Sequence, residues 1–433
     1  MVLDLFRNIK KNNNILNIYI IINIIWIFLG VFLYNYVGFT YRSYSTSLVL
    51  LFFVNLMFVF LYSIKNNIKF GLIDILLILL VIFGIISCVF SKNISVSLYG
   101  YWLRYEGLFH LLYYYSLFYL CSLVTKNKKI IIYFILSFGL INVLVSLLQV
   151  FDILSFIPIR LRGIKLAQGL LTNSNFLGSY MVLCLGLSIG LFLDNLNNRF
   201  KNILFFVLFI FYYMSLLVSS ALSGFVGFIV SLCFIIGLFI YKLINKKINK
   251  YIVIKYIILF ISLVVVSIVL TLSRKSLILK DFVRFSNETS EIVKGNVSDS
   301  YGSSRLYIWK NTLKVVPENL LHGVGIDCFT FAFDGEMLYS VSNNGKIIYY
   351  DKVHNDYLQK LVCEGIFSCI TYILLLFLLF IRSVKKFFVF DENEIIPLFL
   401  AFVGYSVTAF FNISVIEVAP IYFIVLGLLY NRN

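Results

Sequence analysis

The chain has 433 residues, 61% of them hydrophobic and only 13% charged, with a mean hydropathy of +0.96. A soluble domain carries about twice that charged fraction, so a soluble fold is excluded and an all-α integral membrane protein is expected. The formal charge of +16 needs no nucleic-acid partner, because much of it sits in short loops where it acts as a topology signal.

Apolar runs of about 20 residues, the length that crosses a bilayer as a helix, fall near 16–36, 46–64, 70–90, 107–124, 130–151, 170–193, 203–219, 223–241, 251–272, 353–381, 395–411 and 413–430. These predict twelve transmembrane helices. Spans 1–9 lie within residues 1–272, a large, partly helical extracytoplasmic loop covers 273–352, and spans 10–12 lie within 353–433. The first run is too long for a cleavable signal peptide and lacks a small-residue cleavage site. The seven cysteines lie mostly inside spans with no paired metal spacing, and they read as buried small hydrophobes.

Basic residues collect on one set of loops: Arg7, Lys10 and Lys11; Lys65 and Lys69; Lys126, Lys128 and Lys129; Arg199 and Lys201; Lys242 to Lys255; Arg382, Lys385 and Lys386; and Arg432. The opposite short loops hold only Arg42, Lys92, Arg104, Arg160, Arg162 and Lys165. The positive-inside rule then puts both termini in the cytoplasm and the long loop outside a plasma membrane. That loop carries ten basic and nine acidic residues, so each of its arginines needs its own argument.

In chain order, Asn23 and Asn55 read as interhelical hydrogen-bond partners. The outer segment 98–107 holds Arg104 and Glu106, which can pair with each other; Arg104 alternatively snorkels to headgroups or serves a site. Arg160, Arg162 and Lys165 form an outward cation cluster suited to a phosphate or diphosphate, and equally to anionic lipid. Thr172, Asn173, Ser174 and Asn175 open the sixth span. Capping that helix takes one such residue, which leaves polar groups over for a ligand. The break Ser219–Gly224 is a tight hairpin or a place of close substrate approach.

Within the long loop, Leu306, Trp309, Leu313 and Val316 predict an amphipathic helix over 303–316, ended by Pro317. Arg305 lies one turn before Trp309 on the same side. His322-Gly323-Val324-Gly325 predicts a turn with unusual dihedrals, and a second helical piece is expected around Phe329 and Phe333. The tenth span is expected to begin at His354, with residues 354, 358, 361 and 365 on one face and Asp356, Lys360 and Glu364 as a charge ladder. Glu364 would then lie about 15 Å below His354, paired with Lys360. Three histidines near the outer face (His110, His322, His354) lack ligand spacing for zinc, so no metal is expected. His354 suits general-base work instead.

Arg104-Tyr-Glu-Gly107, Thr172-Asn-Ser-Asn175-Phe, Arg305-x-x-x-Trp309 with His322-Gly-Val-Gly325, and His354-Asn355-x-x-Leu358-Gln359 with Glu364-Gly365 occur in this order and on one face. With the span pattern, the chain resembles the O-antigen ligase and Wzy-type polymerase family of membrane glycosyltransferases. One departure stands out: Leu222 occupies the hairpin position where the family often has arginine, leaving one diphosphate contact to Arg160 or Arg162. The resemblance implies glycan transfer from a polyprenyl-diphosphate donor to a sugar or other hydroxyl acceptor at the outer face of the bilayer, without cofactor. Outward arginines (Arg104, Arg162, Arg305) would stabilise the leaving diphosphate. His354 would take the acceptor proton with Asn355 orienting it, and Asn173, Asn175, Arg160, Trp309 and Gln359 would contact substrate. Displacement would invert the anomeric centre, and no Asp-x-Asp motif on that face calls for a metal-bound nucleotide sugar. A transporter or flippase, which would need ionisable residues deep in several spans, and a non-enzymatic scaffold for envelope assembly are the rival classes.

Overall fold

The computed structural model describes residues 13–38, 40–66, 70–151, 167–194, 198–245, 250–273, 278–295, 298, 300–333, 336–341, 347–390 and 392–432. Helix α1 (Asn13–Phe32) runs into a π-helical turn over Leu33–Val37, followed by α2 (Tyr41–Asn66), α3 (Leu72–Val89) and the short α4 (Ile94–Tyr99). Next come α5 (Leu108–Ser122), α6 (Lys128–Val150), α7 (Ser174–Asp194), α8 (Arg199–Ser219), α9 (Leu222–Ile244) and α10 (Lys250–Leu272). The polar region holds α11 (Ile278–Val293), α12 (Arg305–Val315) and an antiparallel hairpin of β1 (Tyr339–Val341) and β2 (Ile347–Tyr349). The chain closes with α13 (Asp356–Glu364), α14 (Ile366–Phe390), α15 (Ile396–Phe410) and α16 (Ala419–Tyr430).

This is an all-α polytopic membrane protein. Ten of the described helices are long and apolar enough to cross a bilayer. The predicted fourth and twelfth spans are shorter, α5 with 15 residues and α16 with 12. Both are largely buried among other helices, so neither has to present a full bilayer-length face to lipid. Isoleucines, leucines and phenylalanines project outward from helices at the rim of the bundle, as Ile257, Ile261 and Ile268 do from α10.

Helix α7 is the axis of the bundle and is buried along its whole length. Small residues make that possible by letting backbones approach closely. A Cβ on Gly186 would strike the Ala401 backbone at 2.3 Å, and one on Gly190 would strike Pro397 at 2.3 Å, so α7 and α15 lie backbone to backbone. Gly227 of α9 meets Thr408 and the Gly404 carbonyl of α15 in the same way. Three helix ends therefore converge at one end of the bundle: the start of α7, the α8–α9 turn and the end of α15. Elsewhere Asn23 and Asn55 bridge helices as expected, Asn55 accepting from Tyr19 (2.6 Å) and donating to Ser116 (3.0 Å), while Tyr113 donates to Asn23 (3.3 Å). Six of the cysteines are buried; Cys233 is the exception and faces outward.

The polar region builds a second small core. Ile308, Val324, Phe329, Leu338, Val353 and Val362 pack together there, with Trp309, Phe331 and Phe333 partly covered. The predicted helix 303–316 forms over Arg305–Val315, and Pro317 opens a 3₁₀ turn. Around Phe329 only a single 3₁₀ turn forms, Phe329–Phe331.

The predicted tenth span is corrected. Gly365, at φ +86°, divides it into α13 and α14, because the backbone of Leu321 passes 2.4 Å from where a Cβ would stand. Gly323 (φ +73°) makes the same close approach to Cys363. Across the break run the backbone bonds Val324 N–H to Val362 (3.0 Å), Gly325 N–H to Cys363 (3.0 Å) and Ile366 N–H to Leu320 (2.8 Å). His354 stands before the helix in a left-handed conformation (φ +56°), so it does not share a helical face with residues 358, 361 and 365.

Candidate active site

A cavity of about 470 Å³ opens where the three helix ends meet the polar region. Ser174 and Asn175 line it from α7, Ser220, Leu222, Ser223 and Val226 from the α8–α9 turn, and Phe411 from the end of α15. The polar region contributes Arg284 and Glu288 of α11, Arg305 and Trp309 of α12, and His354. Residues far apart in sequence thus share one space, and four of those singled out from the sequence are among them: Asn175, Arg305, Trp309 and His354.

Arg305 is aimed by a turn of three successive left-handed residues, Gly302, Ser303 and Ser304. Its Nε donates to the Phe411 carbonyl (2.9 Å) and its Nη1 to the Gly302 carbonyl (2.9 Å). Two of the three guanidinium nitrogens are thereby anchored on backbone carbonyls at the cavity wall. Ser223 Oγ, on the facing wall, is buried with no hydrogen-bond partner among the described residues.

His354 is held through its backbone neighbours. Gln359 Oε1 accepts from the Val353 N–H (2.8 Å), and Trp309 Nε1 donates to the Val353 carbonyl (3.1 Å). Asn355 Oδ1 accepts from the Leu358 N–H (3.0 Å) and caps α13. Gln359 and Asn355 therefore fix where the imidazole stands instead of lining the cavity. Burial, then the positive field of Arg305, pushes the His354 pKa down to about 4, against a smaller opposing pull from Asp351. The ring is neutral at physiological pH.

Arg104 does not pair with Glu106 as the sequence allowed. It forms a two-armed bridge to Asp351 (Nε–Oδ2 2.6 Å, Nη2–Oδ1 3.4 Å) and lies over the Phe176 ring at 5.9 Å. Burial works against ionising Asp351, but this guanidinium holds its carboxyl below the ordinary value. Arg104 is thus spent three residues ahead of His354 and does not line the cavity. Asn173 is likewise occupied, its Oδ1 accepting from the Asn175 N–H (2.8 Å) in the first turn of α7. Thr172 donates through Oγ1 to Glu417 (2.6 Å). Arg160, Arg162 and Lys165 lie outside the described residues.

Several residues that support this site gave no sequence signal. Lys352 is buried between Glu106 (2.6 Å) and Asp327 (3.1 Å). The other Asp327 oxygen accepts from the N–H groups of Tyr101 (2.7 Å) and Glu106 (3.2 Å). This knot fastens segment 98–107 and the turn before Phe329 to the irregular segment that leads from β2 into His354. The contacts to segment 98–107 join residues more than 200 positions apart, so no local pattern could have revealed them. His322 stacks on Phe90 (4.9 Å) and donates from Nδ1 to the Gly323 carbonyl (2.8 Å), away from the cavity. Glu364 is paired with Lys360 (2.6 Å), as expected, and accepts from Ser368 (2.7 Å). No cluster suited to a metal ion occurs among the described residues.

The class defined so far is a multi-pass helical membrane protein with a polar, cation-bearing cavity at one end of its bundle. Residues 204–373 match the family model for O-antigen ligase. That match supports the resemblance carried by the motifs to the O-antigen ligase and Wzy-type polymerase family. It runs from α8 into α14 and includes the hairpin, Arg305, Trp309 and His354. No curated protein matches the chain.

Proposed function

We propose that this protein is a glycosyltransferase that moves a glycan from a polyprenyl-diphosphate donor to a hydroxyl acceptor at the outer face of the plasma membrane. The observation that carries the reading is the single cavity shared by Arg305, His354, Trp309 and Asn175. In the reaction, the bond between the anomeric carbon and the diphosphate oxygen breaks, and its electron pair leaves with the lipid diphosphate. Arg305 stabilises that growing charge, an interaction stronger in the transition state than in the ground state. The acceptor oxygen attacks from the opposite side, inverting the centre, and its proton passes to the neutral His354 imidazole. Trp309 offers an aromatic face to a sugar ring, and Asn175 a hydrogen bond to its hydroxyls. The chemistry asks for no metal.

Orientation is supported by the basic flanks. Lys128, Lys129 and Lys386 gather around one recess with Asn431, at the opposite ends of the helices from Asn175 and Ser223. By the positive-inside rule that recess is cytoplasmic and the cavity faces outward.

The test uses purified protein in detergent with a synthetic polyprenyl-diphosphate oligosaccharide and acceptor, followed by gel electrophoresis. Product extended in a ladder marks a polymerase, and a single added unit marks a ligase. Absence of transfer, together with translocation of the lipid-linked glycan in proteoliposomes, would replace this reading with that of a transporter.

A further inference from the structure

The β1–β2 hairpin of the polar region carries an outer face that folding alone does not require. Its inner side sends Leu338 and Tyr350 into the small core, where the Tyr350 N–H donates to the Leu338 carbonyl (2.9 Å) and the Ser340 and Tyr350 hydroxyls bond at 2.7 Å. The register pairs Tyr339 with Tyr349 and Val341 with Ile347, so these four side chains share the outer face. All four are exposed, between 43% and 61%. The solvent side of an antiparallel pair is ordinarily polar, and a contiguous exposed apolar patch marks a surface that binds something. The rings of Tyr339 and Tyr349 stand 6.0 Å apart, tilted by 54°.

This face is continuous with the cavity. Tyr349 and His354 are five positions apart, at most about 18 Å of extended chain. Three of the residues between them are fastened: Asp351 to Arg104 (2.6 Å), Lys352 to Glu106 (2.6 Å) and Val353 to Trp309 (3.1 Å). Tyr307 of α12 donates to the Tyr339 carbonyl (2.8 Å), which ties the hairpin to the helix that carries Arg305 and Trp309. None of the four outer side chains is charged, so the face calls for no ionic ligand. A sugar ring suits it: the ring presents C–H groups on its faces and hydroxyls at its rim, and tyrosine matches these with an apolar ring and a polar tip. Entry into the bilayer suits it less. The residues joining the two strands are Ser342, Asn343, Asn344, Gly345 and Lys346, a set costly to bury among acyl chains.

We propose that the outer face of the hairpin holds the glycan chain of the acceptor and leads its attacking hydroxyl to His354. This inference rests on the proposed transfer reaction and adds to it a second binding surface, outside the cavity. The acceptor is the occupant because β2 runs on into His354, the group that meets the acceptor hydroxyl, whereas the donor is fixed by its diphosphate inside the cavity.

The experiment measures transfer by the purified full-length protein in lipid nanodiscs, with acceptors cut from the cell's own surface polysaccharide and graded from one sugar to many. Tyr339→Ala combined with Tyr349→Ala should raise KM for long acceptors about two- to tenfold, the worth of an aromatic contact. It should leave kcat and the KM of the one-sugar acceptor as they were, and Tyr339→Phe with Tyr349→Phe should keep most of the affinity. An unchanged KM for long acceptors would sink the platform and leave the transfer reaction standing. A KM that rises alike for short and long acceptors would show that the substitutions act on the fold, and a rise confined to lengthened donors would give the face to the donor; either overturns the proposal. So would a fluorophore on Val341→Cys, in a Cys233→Ser background, that brominated lipid quenches, or a dimer that the alanine variant loses. The first would assign the face to the bilayer and the second to another copy of the chain. If the unsubstituted protein transfers glycan to none of these acceptors, the reading of the reaction falls and the platform with it.

Discussion

At the scale of single residues, the balance between His354 and Arg305 decides how the site responds to pH. Burial and the arginine both disfavour the imidazolium and push the His354 pKa down to about 4. As the proposed base it stays competent until pH falls through that value. The acid limb of kcat/KM, which reports the free enzyme, should therefore lie well below the ordinary histidine value of about 6.5. Arg305→Ala removes the second-largest cause and should move that limb upward. An unchanged limb would mean that the base is another group. Linkage works in the same direction for stability. The unfolded chain takes up a proton at His354 near pH 6.5 and the folded one only near 4, so this contribution is full above about pH 6.5 and is lost as pH falls toward 4. Arg305→Lys should recover transfer only in part, since an ammonium cannot reproduce the planar fork.

At the scale of elements, what holds the site is a set of contacts between distant segments. Lys352 is the clearest of them: fully enclosed, it bridges two carboxylates at once. Lys352→Met would leave Glu106 and Asp327 buried without a counter-charge, a change that costs about 3–5 kcal/mol in comparable buried pairs. Thermal unfolding in detergent should show a clear drop in Tm, whereas Glu106→Gln with Lys352→Met should recover part of it. A Lys352→Met protein as stable as the original would show that the knot carries little. The contrast with the helices is instructive about what sequence can show. The bundle helices were legible because hydropathy is a local property repeated over about 20 residues. Arg305–Val315 was legible because its apolar residues recur at helical spacing. The break at Gly365 was not, because the reason for it is the backbone of Leu321 crossing from elsewhere. The same holds for Asn355 and Gln359: their place beside His354 marked them, but only the fold shows that they bind backbone and set the imidazole in place.

At the scale of the whole molecule, the chain is a membrane bundle whose close-packed centre, α7 against α15, delivers three helix ends to one cavity. A cysteine introduced at Glu336, exposed in the polar region, should react with an impermeant thiol reagent in intact cells, and one at Asn245, at the end of α9, should not. The reverse pattern would turn the bundle over and remove the outward site. Arg305, Trp309 and His354 could be singled out in the sequence as polar or aromatic residues where a membrane chain has least reason to carry them. Arg284 could not, because on an amphipathic helix a charged residue is the ordinary choice for the wet face. The central claim is that His354 takes the acceptor proton in a transfer driven by departure of a lipid diphosphate. The most direct measurement compares the original protein with His354→Ala, purified in detergent, on a synthetic polyprenyl-diphosphate oligosaccharide. Donor binding should be unchanged while the transfer rate falls by about 10²–10⁴-fold; turnover of His354→Ala at the original rate would contradict the account.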